Sequence, residues 1–321
     1  MYSMGIIGLP NVGKSTLFNA LTQAAAAAAN YPFCTIEPNV GIVPIPDERL
    51  QQIGDVVRPE KLTPAVIQFI DIAGLVRGAS RGEGLGNQFL AHIREVDALV
   101  HVIRCFADDN VSHVEGDLQP LRDRDIVETE LLLADLQTLE KRQEKVSRYL
   151  KTGEDRYKME LQLIQRLIEH INQGLAARTF PVKEDERAFL REYRLLTSLP
   201  VLYCANVSGE ELPDIIRGED SGSSGRYYRE LETAAREAGA ACVAVAAQLE
   251  AELQELEEEE RREFLVELGI PDSGLDRLVK AAYQQLDLVT FYTIKGEETR
   301  AWIVPRGTQA PQAAGRIHSA M

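Results

Sequence analysis

Positive charge is scarce in this 321-residue chain: 35 Lys and Arg stand against 50 Asp and Glu, a formal net charge of −15. Nonspecific nucleic-acid binding needs many clustered cations to displace counterions, so a chain-wide grip on DNA is excluded and only a local basic patch stays open. Cysteine is scarce as well. Cys34, Cys105, Cys204 and Cys242 lie far apart, with no Cys-x-x-Cys and no neighbouring His pair. That pattern excludes a zinc ribbon or disulfide framework and favours buried free thiols. No apolar run approaches the roughly 20 residues of a membrane-spanning helix. The N-terminus, Met1-Tyr2-Ser3-Met4-Gly5-Ile6-Ile7-Gly8, has no basic region ahead of a hydrophobic stretch, so it reads as a first strand and not as a secretory signal. A cytoplasmic protein with no membrane partner is expected. The remainder of the composition, 45% hydrophobic and 26% charged, is that of a folding globular chain of about two or three domains.

Short apolar runs of strand length recur between helical stretches, at Gly5–Leu9, Val40–Ile45, Val66–Ile70, Ala98–Ile103, Val201–Ala205 and Cys242–Val245. This alternation predicts an α/β fold with a largely parallel sheet covered by helices on both faces. The segment from Val40 to Ile70 shows no convincing crossover helix, so its two strands are expected to pair antiparallel. From about Ile126 to Leu199 the chain becomes rich in Leu, Glu, Lys and Arg. Apolar residues at Leu161, Ile164, Ile168, Ile171 and Leu175 make one narrow helical seam, as in a helical hairpin. Lys141, Arg142, Lys145, Arg148, Lys151, Arg156 and Lys158 gather near its tip, either as a solvated face or as an RNA contact. Ser221-Gly222-Ser223-Ser224-Gly225 reads as a flexible loop, and Leu249–Leu268 as one acidic amphipathic helix ending at Gly269. After Leu286 the pattern turns β-like, with a turn near Lys295-Gly296 and a strand from Arg300 to Val304; these last residues hold too little core for independent stability.

The strongest chemical signal follows the first strand: Gly8-Leu9-Pro10-Asn11-Val12-Gly13-Lys14-Ser15-Thr16, a Gly-x-x-x-x-Gly-Lys-Ser loop leading into a helix. A polyphosphate needs converging backbone N–H groups, which Asn11, Val12, Gly13, Lys14, Ser15 and Thr16 are placed to supply. Lys14 adds a point charge and Ser15 a hydroxyl for Mg²⁺. Downstream, Val66-Ile67-Gln68-Phe69-Ile70-Asp71-Ile72-Ala73-Gly74 ends a strand with Asp71, a carboxylate suited to holding Mg²⁺. Gly74 leaves its N–H open to a γ-phosphate. Thr35, between the two motifs, is a candidate third Mg²⁺ residue on a switch segment.

Two absences matter near these motifs. Leu75 stands where a water-positioning Gln often follows Asp-x-x-Gly, and a leucine cannot orient water. After the fifth strand the chain reads Tyr203-Cys204-Ala205-Asn206-Val207-Ser208-Gly209-Glu210. Asn206 can reach a purine N7 and Val207 lies beside it, but the carboxylate that accepts from guanine N1–H and N2–H is replaced by Gly209.

Asn30-Tyr31-Pro32-Phe33, Thr35-Ile36-Glu37-Pro38-Asn39-Val40-Gly41, Asp71-Ile72-Ala73-Gly74-Leu75-Val76, Gly82-Glu83-Gly84-Leu85-Gly86-Asn87 and Arg300-Ala301-Trp302, added to the phosphate loop, closely resemble the YchF-type Obg-like ATPases among the translation-factor-related P-loop GTPases. The resemblance implies a P-loop NTPase G domain at 1–125 and 200–285, an inserted helical coiled coil at 126–199, and a β-rich, partial TGS domain at 286–321. It implies a Mg²⁺-dependent hydrolase that prefers ATP to GTP and a monomer that associates with the ribosome at the large subunit. The family's Asn-x-x-Glu is here Asn206-Val207-Ser208-Gly209, with Glu210 displaced by one residue. Asn11 matches a position that helps bind K⁺ in potassium-stimulated relatives. His113 matches a loop histidine proposed as catalytic, while His92 and His101 are expected to be structural. The residues themselves leave open a guanine-preferring GTPase, or a nucleotide-gated binding module with little or no hydrolysis.

Overall fold

The computed structural model describes residues 1–28, 39–72, 85–108, 117–150, 154–219 and 222–318. Its main sheet has six strands: β1 (Tyr2–Ile7), β2 (Val40–Pro44), β4 (Val66–Asp71), β5 (Ala98–Arg104), β6 (Val201–Asn206) and β7 (Ala241–Val245), ordered β2-β4-β1-β5-β6-β7. Only β2 runs antiparallel, against β4. Every residue of β5 and β6 is buried, because helices cover both faces of these central strands. Right-handed crossovers set which face each helix takes. Helices α1 (Lys14–Ala28), α9 (Ala247–Leu253) and α11 (Gly274–Gln285) share one side, and α4 (Pro120–Tyr149) and α8 (Gly222–Glu237) take the other. The first strand begins three residues earlier than expected and stops at Ile7, so Gly8 and Leu9 belong to the following loop.

The link between β2 and β4 is not bare. It holds α2 (Glu48–Val57), with Asp47 capping its N-terminus, and β3 (Lys61–Thr63), which leaves the main sheet. β3 pairs in parallel with β9 (Glu298–Pro305), which in turn pairs antiparallel with β8 (Leu288–Lys295). The C-terminal hairpin thus gains a strand from residues some 235 positions away, and its inward face is stitched down by side chains. Thr63 Oγ1 donates to Glu298 Oε1 at 2.6 Å, and Tyr292 Oη donates to Asp47 Oδ2 at 2.5 Å. The helix α3 (Leu85–Ile93) precedes β5, and α12 (Ala310–Ile317) follows β9.

The insertion starts at Pro120, six residues before the expected Ile126, with the proline at the first helical turn where its missing N–H is harmless. α4 pairs with α5 (Asp155–Asn172), and α6 (Arg187–Tyr193) closes a separate apolar cluster with them. The seam of α5 is Leu163, Ile164, Leu167 and Ile171. Leu161 and Ile168 are only half-buried and Leu175 is exposed, because the face that α5 packs against α4 is centred on Leu163, Ile164, Leu167 and Ile171. Asp135 on α4 fixes the return to the sheet, accepting from Leu196 N at 2.7 Å, Thr197 N at 2.8 Å and Thr197 Oγ1 at 2.7 Å. At the tip, Lys141, Lys145 and Arg148 are exposed. Arg142 is held by Glu160 at 2.7 Å and Glu192 at 3.0 Å, Arg156 lies over Phe189, and Lys158 pairs with Asp155. Lys151 lies outside the described residues.

Two further expectations are corrected. Gly222 to Gly225 form the first turn of α8, not a loop, because the Glu211 carboxylate caps that turn: Oε2 accepts from Ser224 N at 2.9 Å and Gly225 N at 3.2 Å. Residues 249–268 form two helices, since α9 ends at Leu253 and a capping box at Glu257 and Glu260 starts α10 (Glu258–Glu267). α7 (Leu212–Arg217) completes the set. Cys105 and Cys204 are buried and Cys242 half-buried, while Cys34 lies outside the described residues. Among the described residues no helix is long and apolar enough to cross a membrane.

Candidate functional site

All the parallel strands of the main sheet point their C-terminal ends to one edge, and the candidate residues gather there. Ile6 pairs with Asp71 and Arg104 with Asn206. β1 and β4 therefore end level, while Ile7 pairs with His101, so β5 and β6 run on about three residues past the end of β1; the loop after β1 is flanked by Asp71 on one side and Asn206 on the other.

That loop needs unusual backbone angles. Gly8 has φ +150°, and a Cβ there would lie 2.4 Å from the Val102 carbonyl oxygen. Gly13 has φ +95°, and its Cβ would lie 2.3 Å from Asn206 Nδ2. Both positions exclude a side chain on steric grounds. Asn11 carries the remaining left-handed turn at φ +61°, a conformation asparagine tolerates better than most residues. Val12 is buried and packs the loop onto the core, whereas Ser15 is exposed and Thr16 half-exposed at the start of α1. The free N–H groups of the first turn of α1 face the same edge, as an anion site requires.

Lys14 is buried to 8% exposure, and its Nζ donates to the Leu9 carbonyl at 2.7 Å, curling over the loop. Burial pushes its pKa down, opposed by the nearby Asp71 carboxylate. Burial likewise pushes the Asp71 carboxyl up, opposed by Lys14 and by a hydrogen bond from Ser15. Asp71 Oδ1 is buried with no hydrogen-bond partner among the described residues. A half-satisfied carboxylate beside a serine hydroxyl is a hard-oxygen donor pair, and it fits Mg²⁺ better than a softer metal. Among the described residues there is no cluster of three or more His, Cys, Asp or Glu side chains able to hold a metal. Thr35, Gly74, Leu75 and His113 lie outside the described residues.

On the other flank, Asn206 is 4% exposed and uses both ends of its amide. Nδ2 donates to the Val12 carbonyl at 2.9 Å, and Oδ1 accepts from Ala247 N at 3.0 Å. It thereby ties the phosphate-binding loop to the first residue of α9, with one of the two Nδ2 hydrogens used among the described residues. Val207 is buried and donates its N–H to the Val245 carbonyl. A Cβ at Gly209 would make ordinary contact with Leu249 at 3.5 Å. Glu210 is exposed, and Glu211 is committed to the start of α8.

The sequence left three contributors unnoticed. Ala247 and Glu211 act through contacts that only folding creates. Arg104, the last residue of β5, is 3% exposed and donates to the carbonyls of Phe106 at 3.0 Å and Asp108 at 3.1 Å, shaping the loop that leads towards His113. A charged residue ending an otherwise largely apolar strand was its one visible signal. Of the two histidines expected to be structural, His101 is buried, whereas His92 is exposed on α3, so a structural role for His92 is not supported.

A model described as a 50S ribosome-binding GTPase matches residues 3–150, and a model of a YchF GTPase C-terminal region, described as a protein of unknown function, matches residues 288–321. The chain is 49% identical over 315 residues to the ribosome-binding ATPase YchF of Bacillus subtilis, covering 98% of this chain and 84% of that protein. Against the ribosome-binding ATPase YchF of Escherichia coli O157:H7 it is 45% identical over 318 residues, covering 99% and 85%. The solved structure of the Schizosaccharomyces pombe YchF GTPase superposes with a TM-score of 0.86 at 34% identity, covering 99% of this chain and 84% of that one.

Proposed function

Since the chain belongs to the YchF family of P-loop nucleotide hydrolases, we propose that it hydrolyses nucleoside triphosphates with Mg²⁺, prefers ATP to GTP, and works as a monomeric regulatory switch on the large ribosomal subunit. The observation that carries this reading is the single sheet edge that sets Lys14, Ser15 and Asp71 on one flank of the glycine loop and Asn206 on the other. The ribosome enters through the names of the relatives.

In this reading the loop N–H groups from Asn11 to Thr16 and the Lys14 ammonium cradle the phosphates. Ser15 and Asp71, joined by Thr35, would hold Mg²⁺, which would supply positive charge against the charge building on the phosphates. The Gly74 N–H donates to the γ-phosphate. With Leu75 unable to orient water, His113 positions the attacking water, and Asn11 would hold a K⁺ ion, which would supply further positive charge there. Asn206 donates to the purine through its second Nδ2 hydrogen, and Val207 lines the base pocket. ATP is preferred because Gly209 carries no carboxylate: a bound guanine would bury two N–H donors without an acceptor, at about 1–3 kcal/mol, whereas adenine has no donor at those positions.

The test is single-turnover hydrolysis of ATP and GTP with Mg²⁺, in K⁺ and in Na⁺, for the wild type and His113→Ala. Expected are faster turnover of ATP, stimulation by K⁺, and a His113→Ala variant that binds ATP normally but hydrolyses it slowly. Absence of any turnover by the wild type would refute the hydrolase reading. GTP bound about tenfold more tightly than ATP, about 1.4 kcal/mol, would overturn the base preference.

A further inference from the structure

Helix α11 is latched to the chain on both sides of the segment that packs against Asn206 and Gly209. The first latch is Glu250 on α9, whose Oε1 accepts from Gly274 N, the first residue of α11, at 2.5 Å. The second is Arg277, whose Nη2 donates to the Ala244 carbonyl on β7 at 3.0 Å while Nη1 holds the Asp272 carbonyl at 2.7 Å. Ala244 and Glu250 bracket residues 245–249. Within that bracket lie Ala247, whose N–H Asn206 accepts, and Leu249, which faces Gly209.

The first latch is costly by itself. Glu250 is 1% exposed, and its Oε2 is buried with no hydrogen-bond partner among the described residues. Burial pushes its carboxyl above the usual range, against the pull of the Gly274 N–H and of Arg277. A buried, half-satisfied carboxylate destabilises a fold relative to an apolar side chain of the same size, so packing alone does not account for it. The approach is also too close for a side chain at residue 274: a Cβ on Gly274 would lie 2.6 Å from Glu250 Oε1 and 3.1 Å from Val245 Cγ1. What the pair achieves is a directional contact, in which a carboxylate on the N-terminal N–H groups of α11 fixes both the distance and the rotation of α9.

We propose that Glu250, aided by Arg277, is a positioning residue for purine recognition: it seats α9 on the end of α11 and so sets where Ala247 and Leu249 stand against Asn206. The inference rests on reading the Asn206 loop as the purine site. Glu250 makes its hydrogen bond to α11 and reaches the phosphate-binding loop only indirectly, through Ala247 and Asn206, so its removal is expected to act first on the base and less on the phosphates.

Titration calorimetry on the full chain, with Mg·ATP and with Mg·tripolyphosphate as ligands, separates the two. Glu250→Ala is expected to weaken ATP binding by about tenfold, the worth of one or two misplaced hydrogen bonds, and to weaken tripolyphosphate binding less. Glu250→Gln is expected to recover most of the loss, because its amide oxygen still accepts from Gly274 N. An alanine variant that binds ATP like the wild type, or that loses ATP and tripolyphosphate equally, overturns the proposal. Should Glu250→Ala not fold, Arg277→Gln carries the same two ligands and the same expected split. A wild type that binds ATP no better than tripolyphosphate would instead refute the purine site itself.

Discussion

Asn206 is the most informative single position to perturb, because one side chain joins two segments 41 and 194 residues away from it. In Asn206→Ala the Val12 carbonyl and the Ala247 N–H both lose their partner, and both residues are almost fully buried. Each orphaned group costs about 1–3 kcal/mol. The pocket faces the open sheet edge and water can reach part of it, so the expected total loss of folding stability is about 2–4 kcal/mol. Asn206→Asp separates the two bonds. Its carboxylate still accepts from Ala247 N but cannot donate to the Val12 carbonyl, and oxygen then faces oxygen across that contact. Chemical denaturation should therefore show aspartate at least as damaging as alanine, and both variants should bind ATP more than tenfold more weakly than the wild type, at least about 1.4 kcal/mol. If Asn206→Ala kept wild-type stability to within about 0.5 kcal/mol and wild-type ATP affinity, the clamp would be an incidental contact and the argument for this pocket would fail.

Lys14→Ala should lower Mg·ATP affinity roughly 30- to 150-fold, since a buried ammonium on phosphate contributes about 2–3 kcal/mol; calorimetry reads this directly, and retained affinity would remove Lys14 from the phosphate site. His101 carries a stability prediction. Complete burial, reinforced by Arg124, Lys14 and Arg178, holds its pKa down at about 3, so the native state refuses a proton that the unfolded chain takes up below its usual pKa of 6.5. The corresponding stability is fully present above that usual value and drains away as pH falls towards the folded one, with about 2 kcal/mol lost by pH 5. His101→Leu should lack this component in denaturation curves at pH 7 and pH 5, and an identical acid loss in both proteins would refute it.

Local features were legible without coordinates for a physical reason. The glycine loop depends on residues within nine positions of one another, and its chemistry follows from backbone freedom at Gly8 and Gly13 and from one ammonium. The strands could be read because buried parallel strands have no polar face to interrupt them. Where local pattern and tertiary context competed, context won. The serine and glycine run before Arg226 reads as a loop, yet it begins α8 because Glu211 supplies the cap from 13 residues upstream. The seam of α5 was misplaced because the face it packs against α4 takes in Leu163 and Leu167 and leaves Leu161 and Ile168 half-buried, which the spacing along the chain did not mark.

The sequence by itself determined the phosphate loop, the carboxylate closing β4, the six strands of the main sheet in chain order, and the missing guanine acceptor at Gly209, all of which are properties of neighbours along the chain. Tertiary structure alone decided that β3 abandons the main sheet to complete the C-terminal one, that Asn206 binds the phosphate loop to α9, and that Glu250 rests on α11. These are contacts between segments tens to hundreds of residues apart. Their partners carry no shared period or spacing, so nothing along the chain marks them until burial brings their donors and acceptors together.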